Sequence, residues 1–104
     1  MQIETIKSGN KNSVILSGEL VGVDSVKLSK TLEGFKESDC NEIVIDLSKV
    51  KYMDSNCFGS LIYAQILLNK NNKKIVLSAP KEIIKKIFRD CTFEQIFKIA
   101  DSYE

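Results

Sequence analysis

Three consecutive residues, Asp54, Ser55 and Asn56, are those in this sequence best placed to do chemistry. They stand between an apolar run at 43–45 and a segment with the apolar spacing of a helix, and all three are favoured helix N-caps. A helix start presents unpaired N–H groups and the positive end of the helix dipole, so it attracts anions. Two interpretations are open: the serine hydroxyl caps the helix, or it accepts a phosphoryl group that the helix start then holds.

Cys57 would lie in the first turn of the same helix, where the dipole favours a reactive thiolate. Its spacing from Leu61 and Ala64 is instead typical of a small packing residue, which is the commoner role of a cysteine at this spacing. Both roles are compatible with the sequence.

Three carboxylates, Glu19, Asp46 and Asp54, lie near predicted strand ends and could together hold a magnesium ion. Each is equally suited to capping or to facing solvent. Small-nucleotide binding or hydrolysis at Asp46 and Asp54 is a third-ranked hypothesis. No glycine-rich phosphate loop supports it, because Gly59 is solitary and neither GxxxxGK[ST] nor GxGxxG occurs.

The composition is that of an ordinary soluble domain: 104 residues, 43% hydrophobic and 28% charged, with a formal net charge of +1. This balance gives no reason to expect nucleic acid or an anionic membrane as the main partner. The lysines at 70, 73 and 74 are interpreted as solvated surface. With no apolar stretch long enough for a membrane span and no signal-peptide pattern at its start, the chain is expected to be cytoplasmic.

The chain contains no histidine, and its three cysteines, Cys40, Cys57 and Cys91, form no CxxC pair. An odd, scattered set argues against a disulfide framework and a zinc site. Without histidine, Ser-His and Cys-His nucleophilic chemistry is excluded within one chain. We therefore expect no metal and no cofactor.

Apolar periodicity predicts the order β-β-α-β-α-β-α-(β) in one domain, 1–104, with strands and helices alternating after an N-terminal hairpin. The predicted strands are 2–7, 13–17, 42–47, 75–77 and 97–99. The first predicted helix begins at an Asp24-Ser25 cap, the second covers roughly 55–69, and the third begins at Pro80. One further turn is predicted at 91–95, and a tail at 101–104.

Three segments resemble, in order and spacing, those of the STAS domains, and in particular the small free-standing anti-sigma factor antagonists of bacteria. Residues 14–20 resemble the family's apolar strand ending in Gly-Glu-Leu, and 43–50 its strand ending in Asp-Leu-Ser-x-Val. Residues 52–59 resemble its aromatic-hydrophobic-Asp-Ser-Ser-Gly-Leu-Gly motif. The motif departs from the family at Asn56, Cys57 and Phe58, which replace serine, glycine and leucine, and keeps the serine after the aspartate.

The resemblance implies an α/β fold, with a mixed sheet of four to five strands and helices mainly on one face, and a switch rather than an enzyme. In such antagonists the serine after the motif aspartate is phosphorylated by an anti-sigma factor that is itself a serine kinase. The unphosphorylated form binds that factor and frees its sigma factor, and a serine phosphatase resets the cycle. By position, Ser55 is the phosphoacceptor and Asp54 its neighbour at the kinase interface.

The residues expected to bind the partner surround the motif and the nearest acidic positions. They are Asp54, Ser55, Asn56, Phe58, Gly59, Glu19 and Asp24. The alternative implied by the same resemblance is an interaction subunit of a lipid-transport or signalling complex, which docks a partner without phosphorylation.

Overall fold

The computed structural model describes residues 1–90 and 98–100. Eight elements follow one another in the predicted order. They are β1 (Gln2–Ser8), β2 (Lys11–Leu20), α1 (Asp24–Glu33), β3 (Glu42–Met53), α2 (Ser55–Lys70), β4 (Lys74–Ser78), α3 (Glu82–Asp90) and β5 (Lys98–Ala100). The predicted turn at 91–95, position 97 of the predicted last strand and the predicted tail at 101–104 lie outside the described residues.

The strands form one five-stranded sheet in the order β1-β2-β3-β4-β5. β1 and β2 form an antiparallel hairpin, and the pairs β2–β3, β3–β4 and β4–β5 are parallel. Parallel neighbours need a crossover connection, and α1, α2 and α3 supply the three crossovers. The mixed sheet predicted for this chain is therefore confirmed.

One hydrophobic core unites the helices with a single face of the sheet. Alternate β3 residues Ile43, Ile45 and Leu47 point to that face because strand side chains alternate. The helical members of the same core come from all three helices: Leu28, Leu32, Cys57, Leu61, Ala64, Leu68, Ile84 and Phe88. The helices thus lie on one face, as expected. No helix in the described ranges combines the length and apolar character needed to cross a bilayer.

Strand β3 extends six residues beyond the predicted 42–47. Its register with β2 shifts twice, between Ile15 and Ser17 and again between Gly18 and Glu19, and each shift leaves β3 with one extra residue. Bulges of this kind break the two-residue alternation. The buried residues in this half are accordingly three apart, Leu47, Val50 and Met53, a spacing that does not suggest a strand.

Two sequence predictions about the chain around β4 are wrong. Pro80 is not the first helical residue, because Ala79 takes a left-handed φ of 53° and α3 begins only at Glu82. Lys73 is not solvated: it is only 8% exposed. Its ammonium donates hydrogen bonds to the carbonyl oxygens of Ser38 and Cys40, which satisfy the buried charge.

Candidate functional site

Asp54 is the N-cap of α2. Its backbone is extended, with φ −85° and ψ 175°, and its Oδ1 accepts a hydrogen bond from the Cys57 N–H at 3.0 Å. This is the bond by which an N-cap aspartate satisfies an unpaired donor of the first turn. Of the two roles open to the motif, capping therefore belongs to Asp54.

Ser55 is the first residue of α2, and its side chain is exposed. Its hydroxyl makes no hydrogen bond to any residue in the described part of the chain. At this position the hydroxyl stands beside unpaired N–H groups and the positive end of the helix dipole. Solvent and a docking protein can therefore reach the hydroxyl.

The second carboxylate oxygen of Asp54 contacts the loop between β2 and α1. Oδ2 accepts a hydrogen bond from the Gly22 N–H at 2.8 Å. The N–H groups of Gly22, first, and of Cys57 hold the pKa of this carboxyl below its ordinary value. One ionised side chain thus joins the loop to the start of α2.

The loop between β2 and α1 is also held by two side chains from the first turn of α1. Gly22 has a φ of 61°, which favours glycine. Asp24 Oδ2 accepts from the Val21 N–H at 2.9 Å, and Ser25 Oγ donates to the Gly22 carbonyl oxygen at 3.0 Å. The predicted Asp24-Ser25 cap is therefore wrong: the N-cap position is Val23, which makes no side-chain bond, and the two side chains turn back to the loop.

A buried hydroxyl joins the first halves of α1 and α2. Ser60 Oγ donates to the Ser25 carbonyl oxygen at 2.8 Å and accepts from Ser29 Oγ at 2.9 Å. Ser60 and Ser29 are 31 residues apart, so the sequence carries no local signal for this pair. Together with the Asp54–Gly22 bond, it fixes the start of α1 against the start of α2.

Cys57 is a packing residue. Its side chain is completely buried in the core. Burial, and then the Asp54 carboxylate, raise the pKa of the thiol to about 12. A thiol in this environment stays protonated and unreactive at neutral pH.

The remaining residues predicted to bind a partner differ in exposure. Asn56 and Gly59 are exposed in the first turns of α2, and Glu19 is exposed near the end of β2. Phe58 is half-buried, and its ring packs edge-on against Phe88 with centroids 5.4 Å apart. Phe58 therefore offers a partner only part of its ring.

The three carboxylates considered as a magnesium site do not converge. Asp46 accepts a hydrogen bond from the Ser48 N–H at 2.9 Å, and Asp54 is committed to Gly22 and Cys57. Among residues 1–90 and 98–100, no group of three histidine, cysteine, aspartate or glutamate side chains is arranged to hold a metal ion.

Three exposed valines beside the motif were missed by the sequence analysis. Val21, Val23 and Val26 are 42%, 84% and 55% exposed. Val21 and Val23 flank Gly22, which contacts Asp54, so they lie next to the start of α2, and Val26 follows in the first turn of α1. The sequence could have indicated their exposure, because these three valines lie in a predicted loop and helix start and do not belong to any predicted core face.

Comparison with known proteins places this geometry in a family. Residues 3–104 match the STAS domain. The anti-sigma-B factor antagonist of Staphylococcus epidermidis is 27% identical over 104 residues, which cover 100% of this chain and 96% of that protein.

Two solved structures of SpoIIAA share the fold. Its unphosphorylated form, described as an anti-sigma factor antagonist, has a TM-score of 0.78 at 14% identity and covers 99% of this chain and 90% of its own. The phosphorylated form, from Bacillus, has a TM-score of 0.76 at 15% identity, with coverages of 95% and 91%. The fold, the mixed sheet and the match over nearly the whole sequence lead to one conclusion: this chain belongs to the STAS domain family.

Proposed function

We propose that this protein is a cytoplasmic anti-sigma factor antagonist that works as a binding switch and not as an enzyme. Its unphosphorylated form binds an anti-sigma factor that is also a serine kinase, and the bound sigma factor is released. Phosphorylation of Ser55 ends the binding, and a serine phosphatase restores it.

The observation that carries this proposal is the exposed, unbonded hydroxyl of Ser55 beside a carboxylate that already performs the capping. The names of the relatives agree with it, since one is an anti-sigma-B factor antagonist and SpoIIAA has both a phosphorylated and an unphosphorylated form. The exposed apolar side chains nearby give a partner something to bury.

The physics of the switch is local. A phosphoryl group adds about −1.5 to −2 charges at neutral pH. Next to the ionised Asp54 it creates a dense negative spot on the docking surface. A partner that approaches meets repulsion and a desolvation cost, and a loss of about 3 kcal/mol weakens the complex more than a hundredfold.

The test uses candidate anti-sigma factors of the serine-kinase type. The protein is incubated with each kinase and ATP, and the phosphate is located by peptide mass spectrometry. We expect it on Ser55 alone. Binding is then measured by calorimetry for Ser55→Ala, which should bind like the wild type, and for Ser55→Asp, which should bind far more weakly.

Asn69→Asp is the matched control, because it adds the same charge at an exposed position at the other end of α2. Phosphate that is absent from Ser55 would contradict the proposal. So would equal losses from Ser55→Asp and Asn69→Asp, an outcome that favours the alternative of a STAS interaction subunit without phosphorylation.

A further inference from the structure

Each oxygen of the Asp54 carboxylate accepts one hydrogen bond, and substitution by asparagine can separate the effects of the two bonds. Oδ1 caps α2 through the Cys57 N–H, and Oδ2 holds the Gly22 N–H at 2.8 Å. The residue after Gly22 is Val23, the most exposed large apolar side chain in the described part of the chain at 84%. The residue after Asp54 is Ser55. Together with the bond from the Asp54 N–H to the Leu20 carbonyl oxygen at 3.0 Å, the Oδ2 bond holds the segment that carries Val23 against the start of α2.

Most of the Val23 side chain faces water, so a partner that covers it removes apolar area from water. Val26, 55% exposed and one helical turn further along, enlarges the same surface. The Ser60 bonds to Ser25 and Ser29 hold that turn of α1 against α2. The valines and the start of α2 thus lie on two neighbouring segments that are more than 30 residues apart in the sequence.

We infer that Asp54 is a positioning residue for partner binding: its Oδ2 holds Val23 beside Ser55, so that the anti-sigma factor buries Val23 and Val26 while it contacts the serine. This inference rests on the proposed function for the identity of the partner. It assigns the carboxylate a role inside the protein, in place of a direct contact with the kinase.

The experiment uses Asp54→Asn. Asparagine is as good an N-cap as aspartate, so α2 keeps its cap. It has one acceptor oxygen where aspartate has two, so it cannot also accept from Gly22. Amide hydrogen exchange by NMR on the free protein should speed up at Gly22 and stay unchanged at Cys57. Glu37→Gln, which removes an exposed carboxylate in the connection between α1 and β3, should leave both amides unchanged.

Binding to the kinase is then measured in a double-mutant cycle. Val23→Ala removes two methyl groups from a buried contact and should weaken binding about tenfold. In the Asp54→Asn background the same substitution should cost less than threefold, because the bond between Gly22 and Asp54 Oδ2 that positions Val23 is absent. In the Glu37→Gln background it should still cost about tenfold.

Three results would overturn the inference. Unchanged exchange at both Gly22 and Cys57 in Asp54→Asn would mean that the Oδ2 bond to Gly22 is not formed. Equal costs of Val23→Ala in all backgrounds would mean that Asp54 acts by charge alone. If the wild type binds no candidate kinase, the proposed function fails and the docking role fails with it, and the exchange data still decide whether the bond to Gly22 is formed.

Discussion

In the motif, the helix cap and the exposed hydroxyl belong to two different residues, whereas an N-cap serine would supply both. Asp54 caps α2 and holds the loop before α1, and Cys57 fills the core beneath. The Ser55 hydroxyl makes no hydrogen bond within the described part of the chain, so a change at this group disturbs few contacts of the fold. The family motif has glycine where this chain has Cys57, and the structure accommodates the larger side chain by burying it completely.

The Cys57 thiol should make the stability of the protein sensitive to alkaline pH. Its pKa is about 12 in the folded protein and 9.0 ordinarily, so above pH 9 the thiol ionises more readily in the unfolded chain. The free energy of unfolding should therefore fall as pH rises from 9 to 12, by at most about 1.4 kcal/mol per pH unit from this group. Urea unfolding at pH 7 and pH 10.5, with a reductant present, measures it.

Cys57→Ala is the control, because alanine fills part of the same space and cannot ionise. Its free energy of unfolding should be lower than that of the wild type at pH 7, and the difference between the two proteins should be smaller at pH 10.5. The lysines titrate in both proteins and cancel from the comparison. An equal difference in the free energy of unfolding at both pH values would contradict the raised pKa of the Cys57 thiol.

At the scale of the elements, Lys73 joins two connections that lie far apart in the sequence. The residue follows α2, and its ammonium bonds to the carbonyl oxygens of Ser38 and Cys40 in the connection between α1 and β3. Both residues lie outside the helices and strands, so no regular backbone hydrogen bond satisfies their carbonyl oxygens. Cys40 is fully buried. Lys73 thus stabilises the end of the molecule opposite the motif.

Lys73→Met should destabilise the protein by about 2 kcal/mol or more. Methionine keeps most of the apolar stem and removes the ammonium, which leaves polar groups without a partner at about 1–3 kcal/mol each. Chemical denaturation measures the loss. Lys70→Met, at an exposed position on the last turn of α2, should change stability by less than about 0.5 kcal/mol. Similar losses for both variants would show that Lys73 acts only as a surface charge.

The elements were predictable from the sequence where burial follows the helical period or a continuous apolar run. The strand at 75–77 lies within β4 because it is a short apolar run that is buried on both faces. The helix at 55–69 lies within α2 because its buried residues repeat at helical spacing. The second half of β3 was not predictable, because its bulges space the buried residues three apart. Lys73 was misread for a different reason: its partners are 33 and 35 residues away, beyond any local pattern.

For the molecule as a whole, topology brings the two halves of the candidate site together. β2 and β3 are parallel neighbours, so the connections that follow them leave the same edge of the sheet. Ligand sites in such sheets favour the carboxyl ends of the strands, which is why the sequence could locate the motif. The contact between Asp54 and Gly22 could not be predicted, because it depends on the register at which the strands end.

The same topology predicts that phosphorylation of Ser55 leaves the fold unchanged. The serine is exposed at the first position of α2, where the helix dipole stabilises a negative charge by about 0.3–1 kcal/mol, and repulsion from Asp54 opposes this gain. The free energy of unfolding should therefore change by less than about 1 kcal/mol on phosphorylation. NMR amide shifts of the phosphorylated protein should change near 20–26 and 54–60, and stay fixed along β4 and around Lys73. Shift changes that extend through β4 would mean that the switch repacks the core, and a purely local electrostatic mechanism would then be wrong.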